Sequence, residues 1–192
     1  MKKLFFAGMI ACTVGSFFIG CSKDTGGGNN SDPTTSELLE VKQGKIVYDV
    51  PNSKTITVWF DNYGKQWREE FDGNVYILDE DAEKAWQADM NVKTYRDIEL
   101  WFAQTYFAPY VFDMENVAFF LDEGYTTGTE TIAGKACTVY ADASKKKLGY
   151  WKKLRFLDAI AVNGEVRQKA TSFSETAPPE GTFLPPTGYT KE

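Results

Sequence analysis

The chain has 192 residues, with 21 basic against 27 acidic side chains, a net charge of −6 and no histidine. The acidic balance opposes binding to phosphate backbones and anionic head groups, and the lack of histidine removes every His-based triad, general base and zinc site. Aromatic residues make up 15% of the chain, which in a β-rich domain means a large aromatic core or an aromatic-lined cavity.

The N-terminal stretch sets the expected location. Lys2 and Lys3 give a basic start, residues 4–19 are uncharged and mostly apolar, and Phe18-Ile19-Gly20-Cys21 closes the run. A membrane-spanning helix needs roughly 20 apolar residues; this run is shorter and holds Gly8, Thr13, Gly15 and Ser16. An ordinary signal peptide needs a small-residue cleavage site, and Ile19-Gly20-Cys21 occupies the place for one. The order resembles the bacterial lipoprotein class, in which a lipobox ends on the cysteine that is acylated. That resemblance implies removal of residues 1–20, lipid on Cys21 and an extracytoplasmic protein. At about 0.8 kcal/mol per buried methylene, two or three chains hold such a protein on the membrane. Ser22 after the cysteine implies the outer membrane. Ser22-Lys23-Asp24 resembles a weak form of the surface-export signal of Bacteroidetes lipoproteins, so the expected side is periplasmic or cell-surface.

Removing Lys2 and Lys3 from the 21 bases leaves 19 against 27 acids, a mature charge near −8. The anchor is therefore expected to be lipid rather than a basic patch. Cys12 leaves with the signal and Cys21 carries the lipid, so Cys137 remains alone and no intramolecular disulfide can form. It reads as a buried small hydrophobe. Residues 22–36 contain no large apolar side chain and read as a flexible tether reaching about 20–23 Å. Residues 37–192 read as a single domain.

Strands open that domain. Ile46, Tyr48 and Val50 alternate with Lys45, Val47 and Asp49, and Ile56, Val58 and Phe60 with Thr55, Thr57 and Trp59; a period of two buries one face and turns the other to solvent or a second layer. Asp61-Asn62-Tyr63-Gly64 reads as a turn. Trp67 and Phe71 share one face of the next strand, with Arg68 and Glu70 on the other. Asp72-Gly73 is a hairpin signal, residues 75–78 pair back, and residues 79–83 form an acidic turn. Trp86, Ala88, Met90 and Val92 predict one further strand, giving a five-stranded antiparallel meander.

The period then changes. Asp97 is a candidate helix cap, and Ile98, Trp101, Phe102, Thr105 and Tyr106 recur at helical spacing until Pro109 stops the run. Asp113 is a second cap, followed by Met114, Val117, Phe120 and Leu121 on one face, with Gly124 suited to the C-terminal end. Strands resume at residues 126–132, turn at Ala133-Gly134, and continue through Cys137, Val139 and Tyr140, then over 148–153 and 155–162. Asn163-Gly164 predicts a hairpin, and residues 165–173 return from it. The tail from Ala177 carries Pro178, Pro179, Pro185 and Pro186 and cannot enter the middle of a sheet. Phe183, Leu184 and Tyr189 are expected to plug one end of the barrel or to lie on its outside.

Strands, two helices and more strands behind a lipobox resemble the periplasmic lipoprotein-carrier superfamily, the fold of the lipoprotein-sorting carrier and its outer-membrane receptor (LolA/LolB-like). The residues that carry the likeness are Gly128-Thr129-Glu130-Thr131-Ile132-Ala133-Gly134-Lys135-Ala136-Cys137-Thr138-Val139-Tyr140, the Tyr150-Trp151-Lys152 strand and the Thr182-Phe183-Leu184-Pro185 element. The resemblance implies a mainly β (α+β) domain, an antiparallel unclosed β-barrel or curled sheet with a two-helix lid inserted mid-chain over a hydrophobic concavity. An anchored chain cannot shuttle as the carrier does; it can receive or sense. The receptor's exposed apolar loop has a counterpart only if residues 107–112 play that part.

No residue pattern marks a nucleophile or a phosphate loop, so the expectation is a non-enzymatic protein without a cofactor. Asp79, Glu80, Asp81 and Glu83 have no EF-hand spacing and read as a solvated turn rather than a metal site. Trp101, Phe102, Tyr106, Phe107, Phe112, Phe119 and Phe120 are the candidate lining of an apolar-ligand pocket for an acyl chain, lipid or lipoprotein. The alternative is a filled barrel in which the same aromatics are core. The protein is then a structural or protein-interaction lipoprotein that meets its partner around Trp59 and Tyr63.

Overall fold

The computed structural model describes residues 38–160 and 166–192. Cys21, residues 22–36 and the Asn163-Gly164 turn lie outside the described residues. Thr35–Glu192 forms one compact unit, and the whole described core lies within it.

Six strands come first: β1 (Gly44–Val50), β2 (Lys54–Asp61), β3 (Gln66–Phe71), β4 (Asn74–Asp79), β5 (Lys84–Asp89) and β6 (Thr94–Asp97). Two short helices follow, α1 (Leu100–Phe107) and α2 (Met114–Phe120), joined through a 3-10 turn at Ala108–Tyr110. The chain then returns to strands β7 (Thr126–Ile132), β8 (Lys135–Ala141), β9 (Lys147–Trp151), β10 (Leu154–Ala159) and β11 (Gln168–Ser174), with a terminal β12 (Thr190–Lys191). All twelve belong to one sheet in the order β12-β6-β5-β4-β3-β2-β1-β11-β10-β9-β8-β7. The return of β11 to β1 joins the two halves, and β7 and β12 end the sheet unclosed. Every pairing is antiparallel except β12 on β6. The proline-rich tail thus reaches the sheet only at its edge, where a strand needs one set of partners.

The period-two pattern sorts the side chains. Trp67 sits opposite Leu78 across β3 and β4, on the face that also holds Tyr48 and Phe60 and receives Ala103 and Phe107 from α1. Val75, Ile77 and Ala88 point to the opposite face, where Phe183 and Tyr189 of the tail lie over them beside Trp59, Trp86 and Tyr95. The tail therefore packs on the outside of the sheet. A third cluster places Val117 and Leu121 of α2 and its C-terminal end on Leu148 and Tyr150 of β9. At Gly44 an added Cβ would lie 2.8 Å from the Ser174 carbonyl oxygen and 3.0 Å from the Phe60 and Phe173 rings, so that crossing of β1 and β11 needs glycine.

Several boundaries differ from the sequence reading, each for a local reason. The predicted strand through Val92 ends at Asp89, because the Asp89 carboxylate accepts from the backbone N–H of Asn91 (2.8 Å) and Val92 (3.3 Å) and turns the chain into a further strand, β6. Met90 and Val92 are exposed at that turn. Asp97 does not cap α1: it ends β6, and Lys191 Nζ holds its carboxylate at 2.6 Å. Pro109 tightens α1 into the 3-10 turn rather than ending it abruptly. Asp113 caps α2 as expected, accepting from the Glu115 N–H. Gly124, at φ +82°, lies beyond the end of α2 in the turn leading to β7. Between β9 and β10 the tight turn is Lys152-Lys153, both at positive φ, a place where glycine or asparagine is the usual signal.

Candidate functional site

An apolar cleft of about 400 Å³ opens where the lid meets the sheet. Trp67 and Leu78 form its sheet side, and Phe107, Val111 and Phe112 form its lid side. Leu38, the first described residue, lies at its edge. Glu80, Gln104, Asp113 and Asn116 make a polar rim. The elements that meet here explain the composition. β3 and β4 present their inward apolar positions, α1 ends on Phe107, and the extended residues after the 3-10 turn carry Val111 and Phe112 back across the opening. Phe112 N–H donates to the Lys153 carbonyl at 2.6 Å, which ties this crossing segment to the β9–β10 turn.

The seven aromatics singled out from sequence do not converge on one cavity. Phe107 and Phe112 line the cleft. Trp101 and Phe102 line a separate depression on the β5–β6 side of α1, and both are exposed. Tyr106 stacks on Tyr76 with ring centroids 4.3 Å apart. Phe119 is 79% exposed and meets Phe120 edge-on at 5.0 Å, with Phe120 against the α2 cluster. Residues 107–112 are not an exposed apolar loop, since Phe107 and Tyr110 are buried. Trp67 gives the physical reason: its ring stacks on Phe107 at 5.7 Å and on Tyr110 at 5.9 Å, so the segment is drawn into the core. Trp59 is half-buried beside the tail cluster, and Lys45 Nζ lies 4.8 Å from its ring centre.

Behind the cleft runs a buried polar chain that sequence reading missed. Glu69, on β3, is 4% exposed and accepts the hydroxyl protons of Tyr106 and Tyr110 on its two carboxylate oxygens. Gln168 Nε2 donates to the Tyr110 oxygen at 3.3 Å, and Arg155 Nη2 donates to Gln168 Oε1 at 3.0 Å. Arg155 Nη1 pairs with Asp158 at 3.2 Å, and its guanidinium lies 5.2 Å from the Tyr110 ring centre. Tyr48 donates to the Arg155 carbonyl at 2.6 Å. Arg155 Nε and Asp158 Oδ1 have no hydrogen-bond partner among the described residues. Burial pushes the Glu69 carboxyl above its usual range, opposed by the two tyrosine hydrogen bonds and by Arg155. Burial likewise raises the Tyr48, Tyr106 and Tyr110 hydroxyls, so all three remain donors at neutral pH. The signal for Glu69 was present in the alternation: it falls between Trp67 and Phe71 on the apolar face.

Cys137 is fully buried, and burial pushes its thiol up to about 11, which leaves it protonated and unreactive at neutral pH. The acids of the β4–β5 turn go to separate partners. Asp79 accepts from Gln66 and from the Ala82 N–H, Glu80 from Gln104, and Asp81 from Asn62. No group of three or more acidic, cysteine or histidine side chains with metal-holding geometry occurs among the described residues.

The architecture defines a class of protein: a mainly β domain whose open sheet is covered mid-chain by two helices. The sequence matches no protein-family model and no curated protein. A solved structure, that of an uncharacterized conserved protein from Thermus thermophilus, is similar to this chain with a TM-score of 0.51 and 10% sequence identity. The likeness covers 80% of this chain and 91% of that one, and at this identity it is a likeness of fold alone.

Proposed function

We propose that this chain is a non-enzymatic, membrane-anchored extracytoplasmic lipoprotein, built like the lipoprotein carriers, that binds an apolar ligand beneath its helical lid. The observation that carries the reading is the cleft between Trp67 and Leu78 on one side and Phe107, Val111 and Phe112 on the other. Its volume falls in the range of small-molecule sites, which are mostly apolar with a few polar groups at the edge. The lipobox-like Phe18-Ile19-Gly20-Cys21 supports the anchor, and Ser22 after it supports the outer-membrane location.

A second reading has its own observation. Tyr48, Phe60, Trp67 and Phe156 are fully buried, so aromatic side chains occupy the interior and the cleft is confined to the lid margin. A scaffold lipoprotein that binds another protein fits that filling. Native mass spectrometry of Thr35–Glu192, purified without detergent and then incubated with lipid vesicles, separates the two. An added mass in the fatty-acid or phospholipid range is expected; a bare protein mass throughout would favour the scaffold. For the anchor, Cys21→Ser is expected to abolish incorporation of labelled fatty acid and to move the chain from the membrane to the soluble fraction. Retention of label by the variant would remove the lipoprotein reading.

A further inference from the structure

The cleft has a floor without charge and a rim of one sign. Among the described residues, its polar lining consists of two carboxylates, Glu80 and Asp113, and two amides, Gln104 and Asn116, with no lysine or arginine. Each carboxylate is positioned through one oxygen. Glu80 Oε1 accepts from Gln104 Nε2 at 3.0 Å, and Asp113 Oδ1 accepts from the Glu115 N–H at 3.0 Å. The second oxygen of each has no protein donor among the described residues. The base nearest along the chain to the turn that carries Glu80 is Lys84, which starts β5, and Lys65, whose carbonyl accepts the Glu80 N–H, directs its ammonium to Asp81 at 3.6 Å. A carboxylate or phosphate entering the cleft would meet like charge among the charged side chains that line it. An ammonium would find two carboxylate oxygens at the mouth while its chain lay on Trp67, Phe107 and Val111.

We infer that the cleft selects its apolar ligand by head charge, taking single-chain amphiphiles with an amine or ammonium head over those with a carboxylate or phosphate head. The inference rests on the cleft being an apolar-ligand site. Ion pairs at a solvated rim are individually weak, so the preference is expected to be about tenfold, and screening reduces it at high ionic strength.

The test is isothermal titration of Thr35–Glu192 at neutral pH and low salt with dodecylammonium, dodecanoate and dodecyl maltoside, each below its micelle concentration. The common chain isolates the head group. Dodecylammonium is expected to bind about tenfold more tightly than dodecanoate, with the gap narrowing as salt is added. The double variant Glu80→Gln with Asp113→Asn is expected to bring the two affinities together; asparagine caps a helix about as well as aspartate, so α2 keeps its start. Dodecanoate binding as tightly as dodecylammonium would overturn the inference while leaving the cleft as a lipid site. So would a preference that persists in the double variant, since that is attraction to the acidic protein as a whole. Absence of binding by all three probes would remove the cleft reading itself, and the inference with it.

Discussion

Trp67→Ala is expected to lower the unfolding free energy by about 3–5 kcal/mol. The side chain is 1% exposed, and its ring touches Phe60 at 5.6 Å, Phe107 at 5.7 Å and Tyr110 at 5.9 Å. The indole N–H donates to the Gly64 carbonyl. Truncation therefore removes a large apolar area, leaves a cavity between sheet and lid, and strands a buried carbonyl. The loss is not uniform across the molecule. Phe107 and Tyr110 are the residues by which α1 and the 3-10 turn seat on the sheet, so amide exchange is expected to accelerate first in α1 and residues 108–112. Trp67→Phe keeps a ring under both lid aromatics and should recover most of the stability, losing the indole hydrogen bond. Denaturant unfolding with exchange mass spectrometry checks both. A loss below about 1 kcal/mol, well under the usual cost of emptying such a site, would show that the lid does not rest on this ring.

The buried polar chain makes the second large prediction. Glu69→Leu is expected to cost about 2–4 kcal/mol, because the Tyr106 and Tyr110 hydroxyls would both lose their acceptor in the interior. Glu69→Gln retains an acceptor and has a similar shape, so its cost should be much smaller. Arg155→Met is expected to cost about 3–5 kcal/mol, since it leaves the Asp158 carboxylate buried without its cation. The ordering Leu well above Gln at position 69 is the diagnostic; equal costs would mean that packing volume, not hydrogen bonding, is what Glu69 supplies.

The pH dependence has a definite sign. Burial raises the Glu69 pKa, so the folded chain holds that proton more tightly than the unfolded chain does. This group then favours folding most below the unfolded glutamate pKa, and the contribution is lost as pH rises through the higher folded value. The stability difference between wild type and Glu69→Gln should accordingly move in favour of wild type as neutral solutions are acidified. A difference independent of pH across that window would contradict a folded-state pKa raised by burial.

Much of this was readable residue by residue. Alternation through Ile46–Tyr48 and Val58–Phe60, the turn at Asp72-Gly73 and the cap at Asp113 act locally, and the structure places them as read. The turn after Asp89 and the Lys152-Lys153 turn escaped because their signals compete with a continuing alternation or lack glycine. Glu69, Arg155, Asp158 and Gln168 escaped for a different reason. Each is a polar residue at a buried position, and the chain they form is closed by partners from other strands and from the lid: Tyr106 and Tyr110 lie 37 and 41 residues from Glu69, and Gln168 of β11 lies 13 residues from Arg155.

The sequence by itself determined the strand–helix–strand order, the period-two faces and the absence of histidine chemistry, because these depend on residue type and spacing along the chain. Only the tertiary structure decided which aromatics share a cavity. α1 is short and sits against β4 and β5, so Trp101 and Phe102 turn away from the cleft while Phe107 turns into it. Only the tertiary structure, too, brought Glu80 and Asp113 from a β-turn and a helix cap to one rim, because the β11–β1 pairing and the stacking of the lid on Trp67 set where those two distant segments meet.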